Sequence, residues 1–165
     1  MVEQVHDDPP TRVVELAANL DDVTGEQVGA VIDRLLEAGA LDAWAIPITM
    51  KKGRPGITLS VLAREDQRDQ LAKQLIQDTG SFGVRYRDWD RLVLDRTYHQ
   101  CDTPLGQLQL KAGSLAGQPL AVKPEFDQVL ALANTAKVSL HKAQRVAGAA
   151  ASDLLADLKQ EADHA

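Results

Sequence analysis

Asn19, Asp21, Asp22 and Glu26 put four oxygen-bearing side chains within one short stretch of chain. Oxygen donors of this kind suit Mg²⁺ or Mn²⁺, and magnesium takes one or two carboxylates while leaving its other positions to water and phosphate. Asp and Asn are also favoured helix caps, so capping and metal binding both stand as readings, and one carboxylate can serve each. Further along, Lys51-Lys52-Gly53-Arg54-Pro55-Gly56 gathers cations in a tight segment whose glycines let backbone approach a ligand. These cations suit a polyphosphate, Arg54 through its planar fork and the lysines as point charges. A solvated hairpin tip is the plainer alternative. In Thr79-Gly80-Ser81-Phe82-Gly83-Val84-Arg85-Tyr86-Arg87, small residues run into two arginines. The amides of such a turn form an anion nest, although a helix stop followed by a strand start explains the glycines equally well.

Other chemistries are excluded or weak. There is no Walker A sequence, Rossmann glycine fingerprint or zinc-type cluster, and His6, His99, His141 and His164 lack ligand-like spacing. Cys101 is the one cysteine, so no intrachain disulfide forms, and it reads as a small buried apolar side chain. A formal charge of −6 disfavours a protein that coats nucleic acid, because such proteins gain affinity from surplus Lys and Arg. No stretch approaches the ~20 apolar residues of a membrane helix, and no apolar run with a basic flank opens the chain. The expectation is a cytoplasmic protein without membrane or nucleic-acid partners. With 165 residues, 44% hydrophobic, the chain has enough apolar material for a real core, built from aliphatic side chains because aromatics are only 4%.

The elements that must position these residues follow from periodicity. Residues 1–10 read as a loose polar tail. Thr11 to Ala18 has the apolar, β-branched character of a strand that Asn19-Leu20-Asp21-Asp22 ends. Thr24 with Gln27 predicts a capping box, and Val28, Val31, Ile32, Leu35 and Leu36 a helical stripe that stops at Gly39. Trp44, Ile46, Ile48 and Met50 alternate as a strand, and Pro47 marks it as an edge. Lys51 to Gly56 is the predicted loop to a hairpin partner at Ile57, Leu59 and Val61. A second helix holds Leu71, Ala72, Leu75 and Ile76, and a fourth strand with a basic face begins near Val84.

Strand-helix-strand-strand-helix-strand over residues 11–90 is the split βαβ, ferredoxin-like pattern. Its sheet order puts strand one between strands four and three. The Asn19–Asp22 turn, the Lys51–Gly56 loop and the Ser81–Arg87 segment therefore share one end of the sheet, where acids suited to a divalent cation meet bases suited to phosphates. Residues 91–160 read as a small β and helical subdomain. It comprises a strand from Leu92 to Cys101, a turn at Pro104-Leu105-Gly106, strands at Leu108–Leu110 and Leu120–Val122, a helix starting at Pro124, and an Ala-rich helix from Ser139 to about Lys159 with a fraying end. The predicted class is α+β: a ferredoxin-like sandwich followed by that subdomain.

Five blocks carry a family resemblance: Asn-Leu-Asp-Asp-Val-Thr-Gly-Glu (19–26), Leu-Leu-Glu-Ala-Gly-Ala-Leu-Asp (35–42), Pro-Ile-Thr-Met-Lys-Lys-Gly-Arg-Pro-Gly (47–56), Gly-Val-Arg (83–85) and Val-Lys-Pro-Glu-Phe-Asp (122–127). In this order they resemble the C-terminal half of the LarC family, the pyridinium-3,5-bisthiocarboxylic acid mononucleotide nickel insertion proteins. The resemblance implies a CTP-dependent cyclometallation, in which CTP goes to CMP and pyrophosphate while nickel enters the pincer nucleotide precursor. It implies CTP with Mg²⁺ or Mn²⁺ as cofactor. It assigns Asp21 and Asp22 to the divalent metal, Lys51, Lys52 and Arg54 to the triphosphate, and Arg85, Lys123 and Glu125 to the nucleotide or pincer substrate. Members of the family carry a further N-terminal domain with a histidine-rich segment, so a separate N-terminal-type subunit is an expected partner, and the Ala-rich final helix fits a homo-oligomer. The rival from fold alone is a non-catalytic nucleotide or small-ligand regulatory module.

Overall fold

The computed structural model describes residues 12–164; the tail expected over residues 1–10 lies outside them. The chain forms two compact units, one ending at Leu92 and the other resuming at Val93.

The first unit runs β1 (Arg12–Leu20), α1 (Gly25–Glu37), β2 (Asp42–Met50), β3 (Arg54–Ala63), α2 (Arg68–Thr79) and β4 (Arg85–Asp90). Its sheet has the order β2-β3-β1-β4 with every neighbouring pair antiparallel, the ferredoxin-like arrangement. Local chemistry sets each boundary. Thr24 Oγ1 accepts the Gln27 amide at 3.2 Å while Gln27 Oε1 accepts the Thr24 amide at 2.8 Å, which satisfies two free donors at the start of α1. Beyond its far end Gly39 takes the left-handed backbone, φ 99°. Pro47 sits in β2, an edge strand, where a missing donor costs least. Alternation along β1 sends Leu16, Ala18 and Leu20 into one core with Val31, Leu35, Leu59, Val61, Leu71 and Leu75, and leaves Glu15, Ala17 and Asn19 on the open face.

In this unit two boundaries differ from expectation. β1 continues through Asn19 and Leu20, because the amide of Asn19 finds partners on the open face while Leu20 enters the core. The hairpin loop is shorter than Lys51–Gly56: only Lys51–Gly53 form the turn, and Arg54, Pro55 and Gly56 pair with Met50, Thr49 and Ile48. Gly56 therefore serves the sheet rather than a flexible loop. A Cβ there would stand 2.6 Å from the Leu20 carbonyl oxygen and 2.8 Å from Met50 Sδ.

The second unit runs β5 (Asp95–Thr103), β6 (Gly106–Leu115), β7 (Gln118–Pro124), α3 (Phe126–Ala136) and α4 (Leu140–Asp163), with its antiparallel strands in sequence order. Leu108 and Leu110 pack with Val129, Leu132 and Ala133 of α3 and with Ala143, Ala147 and Ala151 of α4. The alanines recur every fourth residue and so form one narrow stripe of small side chains along the helix. Pro124 ends β7 instead of opening the helix, which starts at Phe126. The Ala-rich helix begins after Ser139, whose Oγ caps the Lys142 amide, and stays helical beyond Lys159 to Asp163 instead of fraying there. Among the described residues two antiparallel sheets and four α-helices make an α+β fold. Among the described residues no helix is long and apolar enough to cross a membrane.

Candidate functional site

The antiparallel registers bring three distant stretches to one end of the first sheet. Leu20, the last residue of β1, lies opposite Ile57, and Ala17 lies opposite Arg85, the first residue of β4. Asp21 follows directly, and its Oδ2 accepts from Arg54 Nη1 at 3.0 Å. Two residues earlier, Asn19 Oδ1 accepts from Thr58 Oγ1 at 2.8 Å and from Arg85 Nη2 at 2.9 Å. Thus the acidic turn touches the hairpin through Arg54, and the end of β1 touches the third stretch through Arg85.

Asp22, Lys51 and Lys52 are exposed, and the Met50–Arg54 pairing puts both lysines at the hairpin tip. Lys52 adopts the left-handed backbone, φ 65°, at a cost of about 1–2 kcal/mol for a residue bearing a Cβ. A cavity of about 200 Å³ opens beside Asp21, walled by Leu20, Val23, Val28, Pro55 and Ile57. The Arg54–Asp21 pair is worth little in water: with side chains 59% and 27% exposed, a pair of this kind contributes about 0–1 kcal/mol. Both partners are therefore cheap to re-pair with a ligand.

Asp21 and Asp22 carry the oxygen donors that magnesium accepts alongside water and phosphate. Among the described residues no group of three or more His, Cys, Asp or Glu could enclose an ion by itself. Lys123 and Glu125 belong to the second unit. Lys123 stands opposite Lys111 across β7 and β6, and the Glu125 carboxylate accepts a hydrogen bond from Lys111 Nζ, which relieves the repulsion between two facing cations.

The family model described as nickel insertion protein matches residues 1–144. The chain belongs to the nickel insertion protein family. A putative nickel insertion protein of Methanothrix thermoacetophila is 37% identical over 137 residues, which span 82% of this chain and 35% of that protein. The pyridinium-3,5-bisthiocarboxylic acid mononucleotide nickel insertion protein of Lactiplantibacillus plantarum is 43% identical over 102 residues, 62% of this chain and 24% of that protein. Among solved structures, apo LarC2, the C-terminal domain of a cyclometallase involved in synthesis of the NPN cofactor of lactate racemase, has a TM-score of 0.78 at 36% identity. The match covers 84% of this chain and 96% of that one. The chain spans 34–36% of the length of the first four family relatives it matches.

In this member of the nickel insertion family, the open face of the same sheet carries a further acid that no motif marked. Glu15 sits on β1 with its side chain only 14% exposed. Its Oε1 accepts from Ser60 Oγ at 3.2 Å, and its Oε2 accepts from Arg87 Nε at 3.1 Å, Arg87 Nη2 at 2.9 Å and Trp89 Nε1 at 2.8 Å. The available signal was a lone carboxylate in an otherwise apolar strand, since a half-buried acid needs partners. Burial pushes its carboxyl up, but hydrogen bonds from Trp89, Arg87 and Ser60, with the charge of Arg87, outweigh burial and hold it below the ordinary range. A carboxyl that is more acidic folded than unfolded stabilises the fold above the unfolded pKa, near 4.3, and loses that contribution as pH falls through the folded value. Urea midpoints taken between pH 6 and pH 3 should therefore drop more steeply for the native chain than for Glu15→Gln; parallel profiles would contradict this. Trp44 and Trp89 are the only tryptophans, so their emission reports on the first unit alone.

Proposed function

We propose that this chain is the nucleotide-handling part of a nickel insertion enzyme that binds CTP with Mg²⁺ or Mn²⁺ at the rim of its first unit. There it takes part in converting a pyridinium-3,5-bisthiocarboxylic acid mononucleotide precursor into the nickel-pincer cofactor. Nickel is the inserted substrate. The reading rests on one observation above the rest: Asp21 and Arg54, thirty-three positions apart, meet at 3.0 Å. A metal-nucleotide site needs acids and bases held together in this way.

Asp21 and Asp22 would hold the divalent ion, which when bound screens the triphosphate and polarises its phosphoryl oxygens. Lys51 and Lys52 at the hairpin tip add positive charge against the phosphates. Arg54 exchanges the Asp21 carboxylate for a phosphate oxygen, a swap that the low worth of an exposed ion pair makes easy. The apolar cavity beside Asp21 offers packing surface to the sugar or base. The matched stretches of 137 and 133 residues make up only 35% and 34% of those relatives, so the remaining steps fall to a separate N-terminal-type subunit or segment.

Calorimetry with CTP, ATP, GTP and UTP in Mg²⁺ tests the reading. A cytidine preference is expected, and Asp21→Ala and Lys51→Ala should each weaken CTP by about tenfold or more, the scale of one charge-assisted contact. Equal, weak binding of all four nucleotides defeats it. Saturable CTP binding without pyrophosphate release, even with the N-terminal-type partner supplied, would favour the regulatory module instead.

A further inference from the structure

We propose that the open face of the first sheet carries a second ligand site, a ring-sized cavity that takes a carboxylate-type monoanion, carboxylate or thiocarboxylate. The cavity measures about 250 Å³ and is lined by Glu15, Ala17, Arg85, Tyr86 and Arg87. It is smaller than the roughly 300–1,000 Å³ clefts that hold drug-sized ligands, a size that suits a single ring with one acid arm.

Its floor is open because Ala17 is small. On either side of Ala17 along the open face of β1 stand Glu15 and Asn19, larger polar residues whose side chains are already engaged. Glu15 is saturated by Ser60, Arg87 and Trp89, which spends the charge of Arg87 and fixes its guanidinium 4.1 Å from the Trp89 ring centre. Arg85 is different. It donates to the neutral Asn19 amide oxygen at 2.9 Å, and no ion pair joins it to a carboxylate among the described residues. The walls thus hold one positive charge in excess. Asn19 is itself held by Thr58, so the Arg85 fork stands oriented before any ligand arrives.

One excess charge, a planar two-point donor and a neighbouring carboxylate favour a monoanion with two in-plane acceptors over a dianionic phosphate. Of the two ligands that the resemblance offered Arg85, nucleotide or pincer substrate, this favours the second. That the physiological acid is an arm of the pincer precursor rests on the function proposed above; the site itself does not.

Calorimetry on the full chain with benzoate, thiobenzoate, benzamide and inorganic phosphate is the test. Benzoate and thiobenzoate should bind saturably, and benzamide about tenfold or more weaker for want of the charge. Arg85→Gln and Ala17→Leu should each remove benzoate binding, the first by deleting the charge and the second by filling the floor. Tryptophan-monitored melts check that both variants fold, and Arg85→Gln, an exposed position, decides the matter should Ala17→Leu fail to fold. Equal binding of benzamide, displacement of benzoate by phosphate, or full benzoate binding in folded Arg85→Gln overturns the site. Binding of 1-methylpyridinium-3,5-dicarboxylate tighter than benzoate identifies the precursor's arm as the source, and the reverse order a free acid; either order supports the site. Benzoate binding without CTP binding keeps this inference while the nucleotide reading falls, and CTP binding without benzoate does the opposite.

Discussion

Leu16→Ala lowers the stability of the first unit by about 2–5 kcal/mol, the range for truncating a fully buried leucine in a packed core. Leu16 is 0% exposed on the central strand β1, where it packs within the cluster that joins both helices to the sheet. Such a cavity cannot close easily, because β1 is pinned on both sides by β3 and β4. Leu36→Ala supplies the comparison. It removes the same atoms from the neighbouring face of α1, where the side chain is 43% exposed, and should cost less than about 1 kcal/mol. Urea midpoints followed by tryptophan emission measure both; similar losses would refute the placement of the core. Nucleotide affinity should fall with Leu16→Ala as well, since β1 leads straight into Asp21.

Glu15→Ala is the second large effect, expected at about 1–3 kcal/mol. Most of it comes from Ser60, which is 1% exposed and loses the acceptor for its hydroxyl, whereas the indole N–H of Trp89, a residue 43% exposed, adds less. Arg87 adds little, because its side chain is 64% exposed and water can replace the carboxylate. Pairing Glu15→Ala with Ser60→Ala isolates the buried share. The double variant should lose clearly less than the sum of the two single changes, because removing both partners leaves no orphan. Strict additivity would show that the network is ornamental.

The chain order of elements was legible because each carries its own local chemistry. The Thr24–Gln27 box starts α1, Gly39 stops it, and Pro47 confines β2 to an edge, all within a few residues of sequence. That the Asn19–Asp22 turn and the Lys51–Gly56 segment share one end of the sheet also followed from sequence, through the sheet order that the alternating pattern implies. Errors arose where a residue's partner lies far along the chain. Asn19 looks like a strand breaker until Thr58 and Arg85 supply its hydrogen bonds, and Arg54-Pro55-Gly56 looks like loop until the register with β2 is known. Glu15 was overlooked for the same reason, since its four donors come from β3 and β4. The cavity over Ala17 was invisible in principle, because an alanine in a strand announces nothing about the space above it.

Gly56 carries an implication for how this family can diverge. Any side chain at that position would wedge β3 away from the end of β1, prising the acidic turn off the hairpin while leaving the helices and most of the sheet in register. A change to alanine at that one position should therefore loosen the meeting of Asp21 with Arg54 before it disturbs the helices.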